Sequence, residues 1–127
     1  MNKPIDMDAI DREIERLYRI TMERSWERFE AVWKPLMSLP YEAIRKEDYS
    51  IHTLVGILPY YDRMEESQQR LVEQALERVL QLLLNHNNLP VLVRSDLYYP
   101  LELFVAMYPK SDLTARLRPA MDTISLE

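Results

Sequence analysis

A single glycine, Gly56, occurs among 127 residues. Tight β-hairpins depend on residues that accept positive φ, and phosphate-cradling loops need several glycines close together. The phosphate loops are excluded here, and a fold rich in tight hairpins is disfavoured. A backbone this poor in glycine favours helix, and eight prolines are available to punctuate it.

The apolar pattern agrees. Over 6–34, Ile10, Ile14, Leu17, Tyr18, Met22, Trp26, Phe29 and Trp33 recur at steps of three and four, the signature of one helix face. Asp8–Arg12, Glu15–Arg19 and Glu30–Lys34 stand one turn apart and predict ion pairs on the other face. Pro35 is expected to stop this first long helix. A short helix is expected over 38–47, with Ser38 starting it and Pro40 in its first turn. Another is expected over 51–58, capped by Asp48 or Ser50 and ended by Pro59.

A second long helix is predicted over about 63–86, with Asp62 and Ser67 as rival N-caps. Leu71, Val72, Ala75, Leu76, Val79, Leu80, Leu82 and Leu83 give it a stripe wide enough to be covered on two sides, as a central helix requires. Asn85-His86-Asn87-Asn88 should close it, since asparagine tolerates the left-handed conformation. The apolar run 89–93 reads as a connector. Ser95 or Asp96 then caps a short helix through Tyr108, and Ser111 caps a last segment through Ile124. The expected fold is all-α: a compact bundle of five to six helices forming one domain over 1–125. Leu126-Glu127 reads as a cloning junction and is left out of the fold reasoning.

Hydrophobic residues make up 47% and charged residues 29%, the balance of a globular protein with a real core. With no cysteine there is no disulfide, thiolate metal site or cysteine nucleophile. Sixteen basic and 21 acidic residues leave a net charge of −5, with no charge block. Such a surface repels nucleic acid and anionic membranes and attracts a basic partner. Without an apolar leader or a bilayer-length run, the expected compartment is cytoplasmic.

Catalytic and metal chemistry find no foothold. His52 and His86 are 34 residues apart, and neither has a carboxylate or second histidine at ligand spacing. Ser50 and His52 are two apart, which sets them on different sides of a helix. The lysines lie in polar contexts, and the carboxylates are interleaved with arginines. The expectation is a non-enzyme with no cofactor and no metal. The twelve arginines are likewise balanced by neighbouring acids, so no phosphate-tracking stripe exists.

Tyrosine is the unusual residue. Most of the eight fall in three clusters: Tyr60-Tyr61, Tyr98-Tyr99-Pro100 and Tyr108-Pro109. Such rings either close the ends of a helical core or serve as rigid anchors for a protein partner. On a helix, Tyr98 and Tyr99 point about 100° apart, so one can pack while the other faces out.

The stretch Ser95-Asp96-Leu97-Tyr98-Tyr99-Pro100 resembles the Ser-Asp-Leu-Ile-Tyr-Tyr-Pro segment of immunity proteins that neutralise colicin and pyocin nuclease toxins. In that family the segment is a short helix following a longer one, and its aspartate and tyrosines anchor the toxin. The resemblance covers six residues. One residue fewer separates Leu97 from the first tyrosine, so Asp96 stands two and three residues from Tyr98 and Tyr99. The residues that follow are apolar where the family is acidic, and the 34-residue N-terminal helix region has no counterpart there. The resemblance implies a similar binding device on a different helical scaffold. It implies an immunity protein that occludes a basic toxin domain, often a nuclease, at its active site or an adjacent exosite. Asp96, Tyr98 and Tyr99 would be the anchor, with Glu73 and Glu77 on the preceding helix steering the partner. The alternative is a helical adaptor or assembly subunit, in which helix 6–34 pairs with a partner helix or with its own copy as a homodimer.

Overall fold

The computed structural model describes residues 4–40, 43–44, 48–85 and 89–124. Among them are five α-helices and no strand, an all-α bundle. The first helix, α1 (Met7–Leu36), begins where the Asp6 carboxylate accepts the Ala9 backbone N–H at 3.0 Å. Pro35 falls inside its last turn instead of ending it, and the chain bends away at Met37. The helix expected over 38–47 lies largely outside the described residues; Ala43 and Ile44 are helical, and Ile44 is buried.

Next comes α2 (Asp48–Ile57), which runs antiparallel to the second half of α1. The buried Trp33 indole donates to the Ser50 carbonyl at 2.9 Å, and this bond ties the two helices together. Ser50 is therefore a buried helical residue and not a cap. The α-helix ends at Ile57, close to Pro59 as expected, but a 3-10 turn, Leu58–Arg63, continues the helical path. Pro59 sits at the start of that turn, where a residue lacking an N–H removes nothing the turn needs.

That turn displaces the start of α3 (Glu66–Asn85) to three residues beyond the expected one. Asp62 belongs to the turn and Ser67 to the helix, so neither caps it. Instead the Gln68 side chain reaches back to accept the Glu65 backbone N–H at 3.1 Å, half of a capping box. Its stripe is buried as expected: Val72, Ala75, Leu76, Val79, Leu80, Leu82 and Leu83. His86, Asn87 and Asn88, expected to close this helix, lie outside the described residues.

The largest departure is α4 (Val91–Met107). It starts within the expected connector, immediately after Pro90, with Arg94 N–H bonded to the Pro90 carbonyl at 3.0 Å and no side-chain cap. Ser95 and Asp96 are thus second-turn residues. Pro100 stands mid-helix, where it offers no N–H to the Asp96 carbonyl one turn before. Finally, α5 (Asp112–Met121) is capped by the Ser111 hydroxyl, which accepts the Leu113 N–H at 3.2 Å, as the sequence predicts.

One apolar core joins these elements. Its aromatic part has two centres. Phe29 stacks with Trp33 at 6.2 Å between α1 and α2, and Tyr61, Phe104 and Tyr108 meet pairwise at 5.0–5.1 Å where the 3-10 turn crosses the end of α4.

Candidate functional site

The α4 segment presents two different tyrosines. Tyr98 is half-buried and packs against the core, and burial together with the nearby charges of Glu102 and Asp122 raises its pKa. Tyr99, one residue on, is 51% exposed. The 100° step between adjacent helical residues produces this split, as the spacing anticipates.

Asp96 precedes Tyr99 by three residues, so both lie on one face of α4. Leu92, one turn earlier on that face, is 80% exposed. Across from them stands α2, and between the two helices runs a groove of about 460 Å³ lined by Ile44, Ile51, His52, Val55, Val93, Asp96, Leu97 and Tyr99. Its floor is apolar and its polar groups are few: the Asp96 carboxylate, the His52 imidazole and the Tyr99 hydroxyl. That composition suits a ligand or side chain with an apolar body and a cationic tip. Among the described residues the Asp96 carboxylate has no hydrogen-bond or ion-pair partner, and the Pro100 ring leaves the Asp96 carbonyl without its helical donor as well.

His52, which the sequence offers no metal or catalytic partner, belongs to α2. It lines this groove and also a second cleft of about 310 Å³ with Ser25, Arg28, Tyr49, Thr53 and Gly56. No spacing in the chain connects His52 to Asp96, 44 residues away; packing of α2 on α4 alone brings them together.

Glu73 and Glu77 do not join the groove. Glu73 accepts the Tyr61 phenol, and this bond together with burial raises the Tyr61 pKa, burial being the larger cause. Glu77 pairs with Arg116 of α5 at 2.9 Å and lines a separate cleft of about 540 Å³ between α3 and α5. No residue lines both that cleft and the Asp96 groove. The structure therefore groups Asp96 with Tyr99, turns Tyr98 into the core, and leaves Glu73 and Glu77 elsewhere.

Among the described residues no group of three or more histidines and carboxylates is placed to hold a metal ion. No helix among the described residues is long and apolar enough to cross a membrane. Comparison with protein-family models, curated proteins and solved structures returned no match.

Proposed function

We propose that this protein is a non-catalytic inhibitor of the immunity type, which binds a basic toxin domain through the α2–α4 groove and occludes it. The observation that carries this reading is the pairing of an unpartnered Asp96 carboxylate with an exposed Tyr99 ring beside an apolar groove. A tyrosine supplies wide, rigid contact area, and the carboxylate supplies a charge-assisted bond to an arginine or lysine of the partner. Leu92 extends the apolar contact along the same helix face. The net charge of −5 draws a basic domain in, with Glu73 and Glu77 adding to the field from outside the groove.

Co-purification with the C-terminal domain of a toxin encoded immediately upstream tests the proposal. Given such a complex, Tyr99→Ala and Asp96→Ala should each speed dissociation by roughly thirtyfold or more, as loss of a central anchor does. Wild-type dissociation rates in both variants, each folded, would remove the groove from the interface.

The alternative of a helical adaptor draws its support from α1. None of the side chains from 7 to 17 is buried or half-buried, so this stretch is free to meet another helix.

A further inference from the structure

The cleft between α1 and α2 has no part in the inhibitor reading. Ser25 and Arg28 stand one turn apart on α1, and Tyr49, His52, Thr53 and Gly56 follow one another along a single face of α2. They enclose about 310 Å³, the lower end of the range for small-ligand sites. None of the six is acidic. Among the described residues the Arg28 guanidinium has no hydrogen-bond or ion-pair partner, and neither do the side chains of Ser25, Tyr49 and His52. Thr53 differs, because its hydroxyl already donates to the Ser50 carbonyl at 2.8 Å. The positions three and four residues from Arg28 along α1 hold Arg24, Ser25, Ala31 and Val32, so its own helix offers it no carboxylate either.

Gly56 is an independent observation. It lies inside α2, where glycine weakens a helix, yet its φ is not positive and an added Cβ would meet nothing within 4 Å. Neither backbone strain nor the packing of the chain accounts for the one glycine present. Its missing side chain leaves bare helix backbone open to the cleft, which allows a ligand to approach closely. The Trp33–Ser50 bond sets the register of the two antiparallel helices. Arg28, five residues before Trp33, therefore comes level with about residue 55, beside Gly56.

We infer that this cleft binds a small monocarboxylate, with its two oxygens on the Arg28 fork and its body against the bare backbone at Gly56. A guanidinium matches a carboxylate in charge and in bidentate geometry. A phosphate monoester, at about −2, would be only half neutralised by Arg28 on a protein whose net charge is −5. The Ser25 hydroxyl and a His52 N–H are further donors in the lining. The inference requires no toxin, although His52 lines this cleft and the Asp96 groove alike.

Benzoate titrated into the full chain at fixed ionic strength tests it by heteronuclear NMR. The Arg28 Nε–H signal and the backbone amides around Gly56 should shift saturably, with half-saturation at roughly 1–10 mM. Arg28→Gln should weaken binding about tenfold or more and leave the melting temperature unchanged, since Arg28 is exposed and unpartnered. Gly56→Leu should weaken it at least as much by filling the cleft, while the melting temperature holds or rises. Methyl phosphate should bind more weakly than benzoate. If N-acetylglutamate amide binds more tightly than benzoate, the carboxylate belongs to a partner's acidic side chain; the reverse order assigns it to a free organic acid. Shifts that grow linearly with concentration, or that the other arginines share, would overturn the proposal. So would folded Arg28→Gln or Gly56→Leu variants that bind benzoate as the wild type does. Tighter binding of methyl phosphate would overturn the ligand class.

Discussion

Tyrosine shows how one residue type serves two ends in the same chain. Tyr98 has its ring against the core, so Tyr98→Ala should cost about 2 kcal/mol or more in urea unfolding, whereas Tyr99→Ala should stay within about 0.5 kcal/mol. Equal losses at the two positions would show that the split between packing and exposure is wrong. A second consequence concerns pH. Burial raises the pKa of Tyr61, Tyr98 and Tyr108 above the usual value of 10.0. A group whose folded pKa is raised contributes stability that is fully present below its unfolded pKa and is lost as pH climbs towards the folded one. Stability should therefore hold below pH 10 as far as these groups are concerned and fall above it. Thermal melts from pH 9 to pH 12 should show this, with a shallower fall in Tyr61→Phe, which has no proton to lose there.

Elements carry the next level of consequence. In α2, Gly56 has ordinary negative φ, and a Cβ added to it would meet nothing within 4 Å. The only glycine in the chain is thus not required by backbone strain or by close packing. Gly56→Ala should stabilise the protein by about 0.5–1 kcal/mol, through helix propensity and a less flexible unfolded chain; a loss of stability on chemical denaturation would contradict this. In α3 the opposite holds, because the stripe is buried at every position but Leu71, which is half-buried. Leu76→Ala should cost about 2–5 kcal/mol, since Leu76 is completely buried and its removal leaves a cavity. The stripe of α1 looks equally convincing in sequence and behaves differently. Ile10, Ile14 and Leu17 continue the pattern of Trp26, Phe29 and Trp33, but only the latter end of the helix has α2 against it. Helical period identifies a face; it does not say whether anything covers that face. The expected surface pairs fared similarly. Glu15 reaches Arg63 rather than Arg19, because Arg63 is held over the Tyr18 ring, and Glu13 pairs with Arg16 at 2.6 Å.

For the whole molecule, the net charge of −5 and the Asp96 groove act at different stages of any encounter with a basic partner. The overall field sets the association rate, so that rate should fall as ionic strength rises and the Debye length shrinks. If a basic toxin domain is the partner, as proposed, stopped-flow mixing with it at low and high salt measures this, and a salt-independent rate would remove the steering role given to the acidic surface. The contacts proposed for Asp96 and Tyr99 would instead act on dissociation. What could be read from residues alone was local. Glycine poverty, three- and four-residue apolar steps and proline positions are enough to make the chain helical and to identify the buried stripe of α3, because each is expressed within a few residues of backbone. The start of α4 escaped that reading: it has no side-chain cap, and the polar pair Ser95-Asp96 imitates one. The groove escaped it too. His52 lines the same groove as Asp96 only because α2 and α4 pack together, and Glu73 and Glu77 are engaged by Tyr61 and Arg116 of other elements. Helix formation follows from hydrogen bonds and side-chain spacing along one segment. Burial, exposure and the partners of a charge depend on which segments pack against it, and that is settled only when the helices come together.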